Sequence, residues 1–436
     1  MTPMDPATYH RRLLIRGARV IDPATGRDEV ADLFVRDGIL ELPPADPPPG
    51  THVVEAGGLV AAPGFVDVHV HLREPGDEES ETIASGAATA LRGGFTAVAA
   101  MANTDPVNDD PGVTAFVLER AAAAGGLVEV IPVSAVTKGL AGRELVDFEA
   151  QRRAGAGAFS DDGMPVEDDA TMLGAMERAA ALGARVHSHA EDRTRAAGGA
   201  IRAGEIQQAL GVRGVPADAE TLMVARDVAL AERSGAPIHI CHVSTVGSIR
   251  VIREARARGV PVTAETAPHY FSLTVDALAG GDPHFKMNPP LGDAEDRHEV
   301  IRALREGVFD AIASDHAPHA AHKKRGRSLQ DAAFGIVGLE TMLPVTHSHL
   351  VATGELSLIE ALRLLTSGPA SVLGRNDLGR LRPGVRAAIN LLDLQTPWRF
   401  AADRMASRSR NCPFDGWTVT GRVVRSIVGG SVVEHP

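Results

Sequence analysis

Eight short apolar runs punctuate the chain, at 64–71, 95–101, 127–136, 155–162, 185–190, 237–244, 262–269 and 310–319. Between them lie Ala-, Arg- and Glu-rich stretches with helical spacing, such as 111–124, 217–234 and 295–306. Eight strands alternating with helices predict an α/β fold, a parallel (β/α)8 barrel of the TIM type. An open doubly wound sheet is the alternative. No Gly-x-Gly-x-x-Gly follows an early strand, so a nucleotide-binding version of that sheet has no support. No shorter internal repeat and no low-complexity tract accompany the alternation.

The two ends have a different texture. Residues 13–20 and 30–40 read as strands around the turn-prone Asp22-Pro-Ala-Thr-Gly26, and the Pro-rich stretch from Pro43 to Gly50 reads as a loop. Residues 388–394, 417–424 and 426–433 look alike, the last broken by Gly429-Gly430. The 436 residues suit one large barrel with a small accessory domain. The expected division is 1–62 and 377–436 for a small β-sandwich built from both ends, with the barrel over 63–376.

Composition narrows the class. Hydrophobic residues make up 44% and charged ones 23%, which excludes a wholly disordered or fibrous chain. Aromatics are only 4%, so aliphatic side chains and Ala must fill the core. A net charge of −12 argues against a nucleic-acid or anionic-membrane binder. Lysine is confined to Lys138, Lys286, Lys323 and Lys324. Two cysteines, Cys241 and Cys412, make a disulfide framework implausible and fit a reducing compartment. The polar start, Met1-Thr-Pro-Met-Asp-Pro, offers no apolar stretch for a signal peptide, and no apolar run reaches the ~18 residues of a membrane span. A cytoplasmic protein is expected.

Barrel enzymes carry their chemistry at the C-terminal ends of the strands. The first strand ends Asp67-Val-His69-Val-His71, and alternate residues share a face, so both histidines can reach the barrel mouth and hold one ion. His-x-His alone is a weak signal, more often explained by two structural histidines. Four further strand ends change the balance: Phe159-Ser-Asp161-Asp162-Gly163, His187-Ser-His189, His239-Ile-Cys241-His242 and Ser314-Asp315-His316-Ala-Pro-His319. Imidazoles with carboxylates suit zinc or a similar divalent ion, and two such ions can share a bridging carboxylate. Cys241 has no Cys-x-x-Cys partner and reads as a small packed hydrophobe. His187, His239, His269 and His316 are expected to pack, hydrogen-bond or stand behind the ligands. His10, His52, His347, His349 and His435 are expected at the surface or in loops. Gly-x-Ser-x-Gly is absent, so covalent acyl transfer gives way to water activated by a metal.

These residues resemble a family. Gly64-Phe-Val-Asp67-Val-His69-Val-His71-Leu-Arg73-Glu-Pro-Gly76 looks like the first-strand signature of dihydroorotases of the amidohydrolase superfamily, in their Asp-bridged bacterial type. Met101-Ala-Asn103-Thr104, Phe159-Ser-Asp-Asp-Gly163, His189-Ala-Glu-Asp192, Cys241-His242-Val-Ser-Thr245, Lys286-Met-Asn288-Pro-Pro290, Ser314-Asp315-His-Ala-Pro-His319 and Phe334-Gly-Ile-Val-Gly-Leu-Glu340 follow in the family's order. The resemblance runs from about residue 13 to residue 434.

The resemblance implies that His69, His71 and Asp315 hold one zinc ion, and His189 and His242 a second where two are bound. Asp162 would bridge them; Asp161 is adjacent, and the choice between the two rests on the resemblance. Arg73 and Asn103 would grip the substrate carboxylate, Asn288 and His319 would add contacts, and Phe334 and Gly335 would line the ring's pocket through a mobile loop. The implied reaction is reversible hydrolysis of (S)-dihydroorotate to N-carbamoyl-L-aspartate in de novo pyrimidine biosynthesis, with Asp315 as general base and then general acid. A homodimer is expected by base rate, and association with aspartate transcarbamoylase is something the resemblance raises for the family alone. Ala102 and Ala333 stand where the family usually has Pro, beside binding residues, and Ala388 where an Asp is common.

Two other readings share much of this. Hydantoinases, dihydropyrimidinases and allantoinases have the same barrel and histidines, but typically bridge their metals with a carboxylated Lys on the fourth strand. No Lys lies between Lys138 and Lys286, and Lys138 reads as a loop or helix-start residue. Inactive dihydroorotase-like chains serve as scaffolds for aspartate transcarbamoylase, but such chains usually lose metal ligands, and here all six remain.

Overall fold

The computed structural model describes residues 7–436. The polar Met1–Pro6 start, read above for a signal peptide, lies outside the described residues.

Eight parallel strands form the barrel: β1 (Phe65–Val70), β2 (Phe95–Ala100), β3 (Glu129–Ser134), β4 (Ala158–Phe159), β5 (Val186–Ser188), β6 (Ile238–Ile240), β7 (Val262–Thr266) and β8 (Ala311–Ile312). They pair in sequence order, each with the next. Closure between β8 and β1 is made just beyond β8, where the His71 N–H donates to His316 O at 2.8 Å. The Asp67 carboxylate adds to it by accepting from the Ser314 N–H at 3.1 Å. All eight apolar runs contain a strand, and the observed strands are shorter. β4 and β8 shrink to two residues each.

A helix follows each strand: α1 (Ile83–Arg92), α2 (Pro111–Ala123), α3 (Phe148–Ala154), α4 (Asp169–Ala181), α5 (Asp218–Ser234), α6 (Val246–Ala257), α7 (Ala294–Arg305) and α8 (Leu358–Leu365). Their starts are written locally. Thr82, Asp110, Asp147, Asp168, Thr245, Asp293 and Ser357 each accept a backbone N–H of the first turn, satisfying donors the helix itself leaves open. Only α5 begins without such a cap. The apolar helix faces and the strands share one extended core, while Ala370 and Val372 of the helix Ser367–Val372 pack on small residues of β1, β2, β3 and β8.

Both chain ends join one nine-stranded sheet. Thr8–Tyr9, Arg12–Asp22, Arg27–Arg36, Ile39–Glu41, His52–Glu55 and Val60–Pro63 from the N-terminal side join Ala388–Asp393, Arg422–Val428 and Ser431–Glu434. Val20, Val35, Ile389 and Ile427 belong to its separate core. The strand expected at 417–424 is displaced: Thr418–Val419 pairs with Trp398–Arg399, and the long strand begins at Arg422. Gly421, at φ 87, turns the chain between them. Gly429 and Gly430, at φ 55 and 82, form a two-residue hairpin between Val428 and Ser431, the left-handed pair that glycine tolerates best. His347, expected in a loop or at the surface, is buried, with Nδ1 2.8 Å from Thr420 Oγ1.

Candidate metal centre

The end of β1 is held from both sides. Asp67 accepts the His69 N–H at 3.0 Å while it accepts Ser314 across the seam, so β1 and the segment after β8 are fixed together. That brings His69 and His71 to Asp315. Five described residues other than glycine have positive φ, and three of them are Arg73 (62°), His242 (35°) and Asp315 (44°). Left-handed backbone at such residues is tolerated only where surrounding bonds over-determine it, and it concentrates at functional sites.

Six side chains converge there. Nε2 of His69 lies 3.3 Å from Asp162 Oδ1 and 3.6 Å from Asp315 Oδ1. Nε2 of His71 lies 3.5 Å from Asp162 Oδ2 and 3.3 Å from Asp315 Oδ1. On the other side of Asp162, Oδ1 is 3.3 Å from His189 Nδ1 and 3.7 Å from His242 Nε2. Ligand atoms bound tetrahedrally at ~2.0–2.1 Å from one zinc ion stand about 3.4 Å apart, so these separations fit a shared cation. His69 Nε2 and Asp162 Oδ1 are buried without a hydrogen-bond partner, as metal-facing atoms should be. Asp162 belongs to both groups of donors, His69–His71 and His189–His242.

Asp161, which sequence parity leaves equivalent, faces elsewhere. One oxygen accepts the N–H groups of Val136 and Thr137 at 2.7 and 3.0 Å, and the other the Thr137 hydroxyl. It ties the end of β4 to the end of β3. Burial pushes the Asp162 carboxyl up, but the charge on His69 and the close approach of the His189, His242 and His69 rings outweigh this and hold it well below the usual carboxylate range. At Asp315 burial is likewise outweighed, by a His71 hydrogen bond and the charges of His69, His71 and His242, leaving it at about 2.

The ring nitrogens turned away from this cluster have partners that sequence reasoning placed differently or missed. His71 Nδ1 lies 2.9 Å from Asn103 Oδ1, and Asn103 Nδ2 lies 3.2 Å from Asp162 Oδ2. Asn288 Nδ2 lies 3.1 Å from His189 Nε2. Both amides, expected at the substrate, touch the histidines. His69 Nδ1 lies 3.0 Å from Glu265 Oε1, a residue that no motif marks. Its sequence signal is a Glu inside the short apolar strand β7, where a charge must find a partner. Cys241 is buried beside this group, and burial pushes its thiol up to about 12.

Arg73 Nε donates to Pro318 O at 3.1 Å, and one of its terminal nitrogens stands 3.4 Å from His319 Nε2. The nearer partner of that His319 nitrogen is Phe334 O, at 2.5 Å, to which it donates. Burial, and then Arg73, lower His319 to about 2, so it is neutral. Gly335 has φ 119, and a Cβ there would stand 2.5 Å from that of Ala317, so this approach needs glycine. The Phe334 ring covers Lys286 Nζ at 4.1 Å. Ala333 donates its N–H to Lys323 O at 3.0 Å, a bond a proline could not make, and Ala102 is fully buried with its carbonyl accepting Thr104 and Asn108. Hydrogen bonds therefore stiffen both loops where proline is missing. A cleft of about 750 Å³ bounded by Gly163, Arg193, Asn288 and Phe334 adjoins the cluster. A cavity of about 800 Å³ between Arg92, Trp398 and Arg422 contains none of these groups.

The lysines are all engaged outside the cluster. Lys138 pairs with Glu144, Lys323 with Asp77 at 2.6 Å, Lys286 donates to Ala332 O at 2.7 Å, and Lys324 to Lys286 O at 2.7 Å.

The chain is similar to known proteins over nearly its whole length. The family described as Dihydro-orotase-like matches residues 58–248. A dihydroorotase of Geobacter metallireducens is 47% identical over 423 residues, which is 97% of this chain and 99% of the relative. One from Pelotomaculum thermopropionicum is 46% identical over 97% of this chain and 98% of its own. Among solved structures, the L-hydantoinase of Arthrobacter aurescens superposes with a TM-score of 0.87 at 26% identity, covering 98% of this chain and 96% of its own. The dihydropyrimidinase of Brevibacillus agri has the same fold, with a TM-score of 0.82 at 23% identity over 97% and 95%.

Proposed function

The chain belongs to the dihydroorotase family, and we propose that the cluster at the barrel mouth is where it hydrolyses dihydroorotate reversibly to N-carbamoyl-L-aspartate. The observation that carries this reading is the position of Asp162 between two pairs of buried histidines, with Asp315 on one side. His69, His71 and Asp315 would hold one ion and His189 and His242 a second, and the imidazole and carboxylate donors suit zinc. Such an ion, when bound, would lower the pKa of a water towards neutral and polarise the ring carbonyl.

The chain's own groups do the rest. Arg73, its Nε anchored on Pro318, turns its remaining donors to the substrate carboxylate, a charge-assisted contact beside neutral His319. This is how an anion enters an acidic protein: the local guanidinium outweighs the net charge. Asp315, ionised at neutral pH, takes a proton from the attacking water on the carboxylate oxygen that is not turned to His69 and His71. As the ring C–N bond breaks, the same oxygen returns that proton to the departing nitrogen. Phe334 and Gly335 close over the ring. No membrane-length apolar helix is found among the described residues. The reading extends to a cytoplasmic enzyme with reduced, buried Cys241 and Cys412, and to a homodimer.

Hydantoin hydrolysis is the second reading, favoured by the L-hydantoinase superposition. Against it stand the engagement of every lysine elsewhere and the guanidinium beside the cluster, which suits a carboxylate-bearing ring. The test is metal analysis with dihydroorotate, hydantoin and allantoin assayed side by side. Turnover of dihydroorotate alone supports the proposal, and faster turnover of hydantoin or allantoin overturns it.

A further inference from the structure

Behind the metal-facing histidines, a polar chain runs down the inside of the barrel. Glu265 of β7 is fully buried, with Oε1 3.0 Å from His69 Nδ1 and Oε2 3.1 Å from His239 Nε2. His239 of β6 is also fully buried, and its Nδ1 lies 2.9 Å from Thr263 Oγ1. Thr263 Oγ1 in turn accepts from Arg185 at 3.2 Å. The order is therefore Arg185, Thr263, His239, Glu265, His69, ending at the cluster. His187 packs its ring on His239, 4.7 Å between centroids.

A fully buried carboxylate is a poor way to stabilise a barrel core. Removing it from water costs several kcal/mol, and well-packed apolar residues of similar volume usually serve stability as well or better. Layers of aliphatic side chains are what such barrels ordinarily contain. A carboxylate retained here, with each oxygen occupied by one imidazole, calls for a role beyond packing.

We infer that Glu265 is a positioning residue for the metal centre: it fixes the ring and tautomer of His69, and His239 holds Glu265 in place. The inference deepens the metal reading of the proposed function and rests on it. The geometry dictates the protons. An ionised Glu265 only accepts, so His69 carries its proton on Nδ1 and turns the Nε2 lone pair towards Asp162 and Asp315. The negative charge behind the ring also makes Nε2 a stronger donor to a cation. Of the remaining histidines, His71 and His189 meet neutral amides, Asn103 and Asn288, and His242 Nδ1 has no hydrogen-bond partner. Among the described residues, Glu265 is thus the one charged partner behind the histidine cluster.

The test is zinc affinity, measured on folded protein by competition with a chelator. Glu265→Gln keeps an oxygen for His69 but loses the charge, and should bind zinc roughly 10–100-fold more weakly, the range for second partners of ligating histidines. Metal-free Glu265→Gln should melt at or above the parent's temperature, because a buried charge is gone. His239→Asn, which frees one Glu265 oxygen, should weaken zinc by a smaller factor and reads the same inference if the Gln variant does not fold. Zinc affinity of Glu265→Gln within about twofold of the parent, beside a clearly impaired Asp162→Ala, overturns the inference alone. So does a lower melting temperature of the metal-free variant with zinc affinity intact, which marks a structural role. A parent that binds zinc no better than Asp162→Ala overturns the metal reading and the inference with it.

Discussion

Asn103 Oδ1 stands 2.9 Å from Nδ1 of His71, and the other end of the same amide stands 3.2 Å from Asp162 Oδ2. One short side chain thereby spans two groups assigned to the metal. Its oxygen can only accept, so His71 must carry its proton on Nδ1 and present Nε2 to the cluster. Removing the amide frees that tautomer and leaves Asp162 short of a donor. Asn103→Ala should therefore lower zinc affinity by about 10-fold or more as well as raising KM for dihydroorotate. Zinc titration alongside steady-state kinetics checks this. A change in KM with zinc affinity untouched would return Asn103 to substrate binding alone.

Asp315 should behave differently. The other ionised carboxylate of the cluster, Asp162, is enclosed between the two pairs of histidines, so Asp315→Asn should cut kcat by 10²–10⁴-fold. Folding should survive, because the amide keeps the volume and can still meet His71. Residual turnover within tenfold of the parent, in protein with normal far-ultraviolet dichroism, removes Asp315 from proton transfer.

Arg73→Met separates substrate binding from metal binding. The change deletes the anchored guanidinium and touches no ligand, so KM should rise by at least tenfold while zinc content stays at the parent's value. The backbone at φ 62 is equally strained for Arg and Met, so no conformational relief confuses the comparison. Lost zinc with spared KM contradicts the assignment.

Apolar runs separated by helical spacing were enough to locate all eight barrel strands, because fully buried parallel strands leave little room for polar residues. Asp110 and Asp293 cap the helices that follow them, a local signal that the spacing argument did not use. The histidines and Asp315 were legible for a related reason: imidazoles and carboxylates recur at five strand ends, where apolar or loop residues would otherwise stand. Spacing does not reveal which side of a strand end a carboxylate takes. Asp161 and Asp162 separate only once Val136 and Thr137, 25 and 24 residues earlier, offer hydrogen bonds to the first. Glu265 was invisible for the same reason, since its partner His69 is 196 residues away. The strand expected at 417–424 failed locally, where Gly421 permits a turn that apolar periodicity does not show.

Stability should depend on pH through Glu340. Burial pushes its carboxyl up to about 7 from an ordinary 4.5, against the pull of Arg92 at 3.7 Å and a hydrogen bond from the Ala406 N–H. A carboxyl raised in the folded state adds stability that is complete below the unfolded value near 4.5 and is lost as pH rises through 7. Glu340→Gln stays neutral at every pH. Its melting temperature should therefore gain on the parent's between pH 5 and pH 8, by an amount equivalent to on the order of 2–3 kcal/mol. Thermal melts across that range decide the matter, and parallel profiles for the two proteins would show that Glu340 ionises normally.

Reconstitution of the metal centre should need no bicarbonate. A lysine bridge between two metals exists only after the amine has reacted with carbon dioxide, so a metal-free enzyme of that kind depends on bicarbonate to reassemble. Here the group between the histidines is the carboxylate of Asp162, ionised well below neutral pH by His69, His189 and His242 despite its burial. The four lysines are engaged elsewhere: Lys138 with Glu144, Lys323 with Asp77, and Lys286 and Lys324 with backbone carbonyls. Moving any of them into the cluster would break those bonds and place an amine beside histidines already satisfied by Asp162. Zinc added alone to metal-free protein should therefore restore full activity at the same rate with and without bicarbonate. Asp162→Ala should recover little under either condition, since no amine stands near enough to take its place. Uptake of zinc is to be followed directly, so that metal binding and activity are read separately. Recovery of the parent that rises with bicarbonate, or a carboxylated lysine between two metal ions, would replace Asp162 as the bridge.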